Sequence, residues 1–180
     1  MIKKVIPFVH NKLKEIITND DYVIDGTCGN GYDTLFLARQ ARKVYAFDIQ
    51  ELAIENTEER MKRNKIHNVE TILDSHENLD KYVEEDIKAA LFNLGHLPGS
   101  DQRIVTQGPS TISAIKKVQE RLVPGGMIAL VVYVGKFGGQ EESDDVLTYV
   151  ESLDFDDYHV IKYSYYNKPQ GPYVICIEKQ

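Results

Sequence analysis

Tyr22-Val23-Ile24-Asp25-Gly26-Thr27-Cys28-Gly29-Asn30-Gly31 decides how this chain is read. An apolar run ends in an acid, passes through three glycines and opens into Asp33-Thr34-Leu35-Phe36-Leu37-Ala38-Arg39, a helical stretch. Strand, glycine loop and helix N-terminus together make a nucleotide-type cofactor site. Gly29 and Gly31 lack a Cβ, so the backbone there can turn sharply and lie against a ligand. A dinucleotide site wants Gly-x-Gly-x-x-Gly, but counting from Gly29 the third position is Thr34. Asp25 and Asp33 flank the loop, and carboxylates suit a cationic, zwitterionic ligand better than a pyrophosphate. S-adenosylmethionine carries an ammonium, a carboxylate and a sulfonium. The loop is read as the cradle for its methionine end, with Asp25, Thr27, Gly29, Asn30, Gly31, Asp33 and Thr34 as contacts.

The next element extends the site. Lys43-Val44-Tyr45-Ala46-Phe47-Asp48 is a second apolar strand ending in an acid, 22 positions after Gly26. An acid at about that distance accepts hydrogen bonds from ribose hydroxyls, so Asp48 is the expected ribose ligand, with Ile49 and Gln50 beside it. Ser75 and His76, after the third strand, are expected near the adenine. The open alternative is a glycine-rich turn in some other α/β protein.

Outward from this pair, apolar runs and helical stretches alternate through the chain. Helices are expected over Phe8–Thr18, Asp33–Arg39, Gln50–Asn64, Glu77–Val83, from Ser110 or Thr111 to Leu122, and from a Ser143 cap to Leu153. Strands are expected over Tyr22–Asp25, Lys43–Asp48, Asn68–Leu73, Ile87–Asn93, Met127–Val134, Tyr158–Tyr165 and Tyr173–Ile177, with Pro124-Gly125-Gly126 as a turn. Five strands alternating with helices imply a parallel sheet with right-handed crossovers. The short loop between the last two strands cannot make a parallel crossover, so they form an antiparallel hairpin. That is the class I methyltransferase arrangement, a Rossmann-like α/β fold with seven strands ordered 3-2-1-4-5-7-6 and the last one antiparallel. One domain over residues 1–180 fits this length.

Composition narrows the function classes. No apolar run approaches the roughly 20 residues that span a bilayer, and the start, with Lys3 and Lys4, lacks a long apolar stretch or cleavage site. A cytoplasmic protein without membrane association is expected. Cys28 and Cys176 have no metal-ligand spacing and read as reduced core residues. No metal is expected. The net charge of −7 argues against sequence-blind nucleic-acid coating. It leaves room for a local basic patch, for which Arg60, Lys62, Arg63 and Lys65, or Lys116, Lys117 and Arg121, are candidates beside the plainer reading of solvated helix faces.

The reacting end is expected at the fourth strand, which ends in Asn93-Leu94-Gly95-His96-Leu97-Pro98-Gly99-Ser100. Ligands in such sheets sit at the carboxyl ends of the strands, near the switch point. Asn93 is expected to touch both cofactor and substrate. Its side-chain carbonyl, with the backbone carbonyls of Leu94 and Gly95, can hold the N–H groups of an amine and aim its lone pair at a methyl carbon. This is the logic of the Asn-Pro-Pro-Tyr loop of amino methyltransferases, and Asn-Leu-Gly-His looks like a variant; Asn93 as a simple strand cap is the alternative. An alkyl amine is mostly protonated at neutral pH, and His96 is a candidate base or hydrogen-bond partner, or a loop histidine that only packs. His10, His67 and His159 are assigned structural or exposed positions. The loops at Tyr133-Val134-Gly135-Lys136 and Asn167-Lys168-Pro169-Gln170-Gly171-Pro172-Tyr173 combine lysine, aromatic and glycine. Tyr133, Lys136, Lys168 and Tyr173 are candidate RNA contacts, against ordinary turn chemistry.

With these residues in view, the chain resembles a family. Asp25-Gly26-Thr27-Cys28-Gly29-Asn30-Gly31, Asn93-Leu94-Gly95-His96-Leu97-Pro98-Gly99 and Asn167-Lys168-Pro169 are similar to the small bacterial class I methyltransferases of the rRNA methylase family, over essentially the whole chain. The resemblance implies methyl transfer from S-adenosylmethionine to the exocyclic primary amine of 5-aminomethyl-2-thiouridine at the wobble position of tRNA. It implies the anticodon stem-loop as partner and a homodimer. Ribosomal RNA, a small-molecule amine, a non-catalytic cofactor-binding protein and an NAD-dependent oxidoreductase stay open as alternatives.

Overall fold

The computed structural model describes residues 1–94, 108–134 and 139–180. Its elements run α1 (Val5–Ile16), β1 (Tyr22–Asp25), α2 (Tyr32–Gln40), β2 (Lys43–Asp48), α3 (Glu51–Arg63), β3 (Val69–Leu73), a 3-10 helix (His76–Lys81) and β4 (Ile87–Asn93). Then come α4 (Gly108–Arg121), β5 (Leu122–Val132), α5 (Gly139–Glu151), β6 (Tyr158–Tyr163) and β7 (Tyr173–Lys179). The seven strands form one sheet in the order β3-β2-β1-β4-β5-β7-β6. β1 to β5 are mutually parallel, while β7 runs antiparallel to both β5 and β6. The expected order and the expected hairpin are both present.

The apolar strands explain why helices cover both faces. Successive side chains alternate sides, so Ala90 and Phe92 of β4 join Phe47, Ile115, Ile128, Leu130 and Val146 in one cluster. Ala89 and Leu91 join Val9, Leu13, Leu37, Val44 and Ala129 in the other. Phe47, Phe92, Leu13, Leu37 and Leu91 are fully buried, each worth roughly 1.5–3 kcal/mol relative to exposure. Cys28 and Cys176 are buried and unpaired with one another, in the second cluster.

Several boundaries differ from expectation for local reasons. α1 begins at Val5 rather than Phe8 because Pro7 falls in the first turn, where its missing N–H is not needed. α4 and α5 begin at Gly108 and Gly139, ahead of the expected caps. Thr111 instead donates to Glu142 at 3.0 Å, and Ser143 shares a 2.6 Å hydrogen bond with the Tyr173 hydroxyl. β5 starts at Leu122: Leu122 pairs with Ile87, the register jumps, and Met127 pairs with Ala89. Pro124-Gly125-Gly126 is thus a bulge inside the strand, with Gly125 at φ +80°.

Candidate active site

Three C-terminal strand ends converge between β2, β1 and β4, where the chain turns from one half of the sheet to the other. The glycine loop leaves β1 and returns into α2. Gly29 and Gly31 have φ of +52° and +85°, the left-handed region that L side chains rarely adopt. The loop is held from all sides. Cys28 N donates to Phe47 O at 2.8 Å and Gly29 N to Asp48 Oδ2 at 3.1 Å. Thr57 Oγ1 donates to Gly29 O at 3.1 Å, and Arg60 Nε to Asn30 O at 2.8 Å. Asn56 completes the set by donating to Asn30 Oδ1 at 3.0 Å.

Asp25 lies behind the loop, fully buried. It accepts from Thr34 Oγ1 at 2.7 Å and from Thr27 N at 3.1 Å. Burial first, and the Asp33 carboxylate second, push its pKa up to about 7. Its carboxyl is thus sealed from solvent behind the loop. Asp48 is also raised by burial, against backbone hydrogen bonds that favour its ionised form; Oδ1 accepts from Gln50 N at 3.0 Å. Ile49 next to it is 51% exposed, an open apolar surface beside Asp48. Ser75 accepts from Glu77 N at the start of the 3-10 helix. His76 is buried, with Nδ1 2.8 Å from Gly26 O and its ring edge-on to Phe92. Desolvation lowers its pKa, so it props the loop as a neutral imidazole.

Asn93, half-buried at the end of β4, is the hub of the other side. Its backbone N donates to Thr27 Oγ1 at 2.7 Å, and its Nδ2 to Asp33 Oδ2 at 3.3 Å. It also hydrogen-bonds the Tyr133 hydroxyl. Burial and Asp33 raise that phenol's pKa, while the Asn93 bond lowers it. With Nδ2 turned to Asp33, Oδ1 is the acceptor end of the amide. Leu94 is buried with its N–H on Val131 O, so only its backbone carbonyl is available for the expected role.

The remaining candidates divide. Lys168 is exposed in the β6–β7 hairpin loop. Tyr173 is only 4% exposed, with its hydroxyl on Ser143; it packs in the core under α5. Gly95, His96 and Lys136 lie outside the described residues. His10, assigned a structural or exposed place, is partly buried and contacts one of the candidates: Nε2 lies 2.7 Å from Asp33 Oδ1, and the ring stacks on Phe36 at 4.0 Å. No spacing rule links residue 10 to residue 33; only the packing of α1 beside α2 does.

The residues present fit S-adenosylmethionine: a bend built on two left-handed glycines, three carboxylates around it, and an amide acceptor alongside. Sheet order and site together define a class I methyltransferase. A family model, "Putative rRNA methylase", matches residues 44–179. Over 99% of its length the chain is 34% identical to the chloroplastic tRNA (mnm(5)s(2)U34)-methyltransferase of Arabidopsis thaliana, covering 70% of that protein. Among solved structures, a "putative methyltransferase" from Streptococcus mutans in complex with SAH is 44% identical, with a TM-score of 0.95 and full coverage of both chains. A "putative rRNA-methylase" from Clostridium thermocellum is 38% identical, with a TM-score of 0.96 and full coverage of both chains. The chain belongs to the Putative rRNA methylase family.

Proposed function

We propose that this chain is an S-adenosylmethionine-dependent N-methyltransferase, one domain over residues 1–180, acting in the cytoplasm on the primary amine of 5-aminomethyl-2-thiouridine at the tRNA wobble position. The observation that carries the reading is Asn93: its Nδ2 donates to Asp33 and its backbone N to Thr27, so Oδ1 is the acceptor it holds beside the glycine loop. An amine N–H donated to that oxygen leaves the nitrogen lone pair directed away from Asn93. When bound, the sulfonium donor supplies an electrophilic methyl group. In-line displacement depends on alignment, and a fixed acceptor supplies it. The amine must shed a proton first, because its reference pKa is about 10.4. Asp33 stands next to Asn93 as a carboxylate, and His96 remains a candidate base.

Support for the amine and for tRNA comes from the Arabidopsis relative, a tRNA (mnm(5)s(2)U34)-methyltransferase. Support for the donor comes from the SAH complex of the Streptococcus relative. A homodimer belongs to the same reading. The test is methyl transfer by the full chain to tRNA bearing the unmethylated aminomethyl nucleoside, with ribosomal RNA and free alkyl amines in parallel, read by nucleoside mass spectrometry. A methylaminomethyl product on tRNA alone is expected. Transfer only to ribosomal RNA or to free amines overturns the substrate; no transfer and no SAH binding overturn the class.

A further inference from the structure

The charge of this chain is unevenly placed. Segments 1–14 and 158–177 hold six lysines and no acid, so all 28 acidic residues lie elsewhere, with 15 of the 21 lysines and arginines. The fold brings these two segments together. The Tyr163 and Tyr165 hydroxyls both donate to Lys3 O, at 2.5 and 3.2 Å. Phe8 stacks flat on Tyr163, with centroids 3.8 Å apart and planes 7° apart. The start of the chain is thereby strapped across the end of the β6–β7 hairpin.

This joined face borders the active site. β7 begins at Tyr173, in register with Val132 of β5, so the hairpin loop leaves the sheet at the end where Tyr133 meets Asn93. α1 runs on from Lys4 to His10, which reaches Asp33. Lys3, Lys4 and Lys168 are exposed, and Tyr166 is 101% exposed. Of the other basic clusters, Lys62, Arg63 and Lys65 are exposed at the end of α3, among acids of the same helix such as Glu59, which Arg63 meets at 3.9 Å, while three further cations are engaged within the protein. Arg60 is on Asn30 O and over Tyr32; Lys117 is on Asp80; Arg121 is on Val83 O.

We infer that this face is the docking platform for the RNA strand that carries the target base, with Lys3, Lys4 and Lys168 on phosphates and Tyr166 stacked on a base. Single-stranded RNA is held in this way, by cations along the backbone and aromatic rings on the bases. A chain of net charge −7 repels RNA at long range except where its acids are missing, so the acid-free face also sets the approach. The occupant is RNA rather than a membrane or a protein, because the platform opens onto the site that must receive the nucleotide. The inference rests on the RNA reading above and names the surface that serves it.

The experiment uses the full chain. Affinity for the aminomethyl-bearing tRNA is measured by anisotropy across a potassium chloride series for the wild type, Lys3→Glu/Lys4→Glu and Tyr166→Ala, with SAH affinity by calorimetry as the fold control. The charge reversal is expected to weaken tRNA binding at least ~10-fold and to reduce the salt slope by about 1 per lysine. Tyr166→Ala is expected to weaken it on the order of tenfold with the slope unchanged. SAH affinity is expected to stay at the wild-type value in both. If the wild type methylates the tRNA while both variants bind it normally, the platform is wrong and the reading stands. If the wild type neither binds nor methylates RNA, both fall. Capture of phosphatidylserine vesicles in preference to tRNA also overturns the platform.

Discussion

His10 Nε2 lies 2.7 Å from Asp33 Oδ1, and the other oxygen of the same carboxylate accepts the Asn93 amide. An N-terminal helix therefore reaches the reacting end of the sheet through one carboxylate. Rotation of Asp33 would free the amide of Asn93 to flip and present nitrogen where oxygen is needed. His10→Phe keeps the stack on Phe36 but removes the donor; His10→Gln keeps an N–H near the same place. The expected outcome is a fall in kcat of about tenfold or more for His10→Phe, with partial rescue in His10→Gln and unchanged SAH affinity. Equal kcat in wild type and His10→Phe would sink this assignment.

Asn93→Ala removes the acceptor itself. Turnover is expected to drop by at least about 100-fold, while calorimetry with SAH shows a change of only a few fold, because the cradle is built from β1, β2 and α2. A variant that turns over normally would return Asn93 to the status of a strand cap.

Asp25 predicts a pH dependence of opposite sign to an ordinary salt-bridged acid. Its pKa is raised from 3.8 to about 7 in the folded state. The native form holds more protons than the unfolded chain between those values. Its stabilising contribution is therefore full below about pH 4 and lost as pH rises through about 7. Asp25→Asn keeps an acceptor for Thr27 N and a partner for Thr34 Oγ1. It is expected to melt higher than the wild type at about pH 8, to flatten this part of the stability profile, and to bind the cationic donor more weakly. Thermal melts across pH, with S-adenosylmethionine calorimetry, check all three; a wild-type profile in the variant counts against the buried carboxylate.

Donor binding should also move protons. A cationic ligand beside Asp33 favours ionised Asp25, so binding near pH 7 is expected to release protons. Calorimetry in two buffers with different ionisation enthalpies reads this directly, and identical apparent enthalpies would rule it out.

Gly26 is restricted by packing rather than by φ. A Cβ there would come within 2.3 and 2.4 Å of Cε1 and Cδ1 of Phe92, which is fully buried and touched edge-on by His76. Gly26→Ala is expected to destabilise by about 1–3 kcal/mol, or roughly 2–4 °C in Tm per kcal/mol, and to loosen the loop that His76 supports. A melt unchanged from wild type would show that Phe92 yields without strain.

The sheet order, the hairpin and the glycine loop were legible because they depend on local signals: runs that end in acids, glycines at a bend, and a loop too short to cross over. The helix starts were less so. Pro7 conceals a first turn that tolerates it, and Ser143 resembles a cap until Tyr173 is seen to claim its hydroxyl. Asp25 was legible as a residue of the site but not as one sealed behind it, since burial belongs to the packed core. His10 was invisible, because its partner is 23 positions away on another helix. Tyr173 looked like a loop aromatic, yet strand pairing with Val132 turns it inward.

The strap of Tyr163 and Tyr165 over Lys3 has a practical reach. A purification handle fused ahead of Met1 would emerge beside the catalytic mouth, whereas Gln180, bonded to Asp157 at the far end of β7, leaves the molecule on the opposite side. Assays of substrate capture are therefore best run with carboxy-terminal fusions or with the handle cleaved.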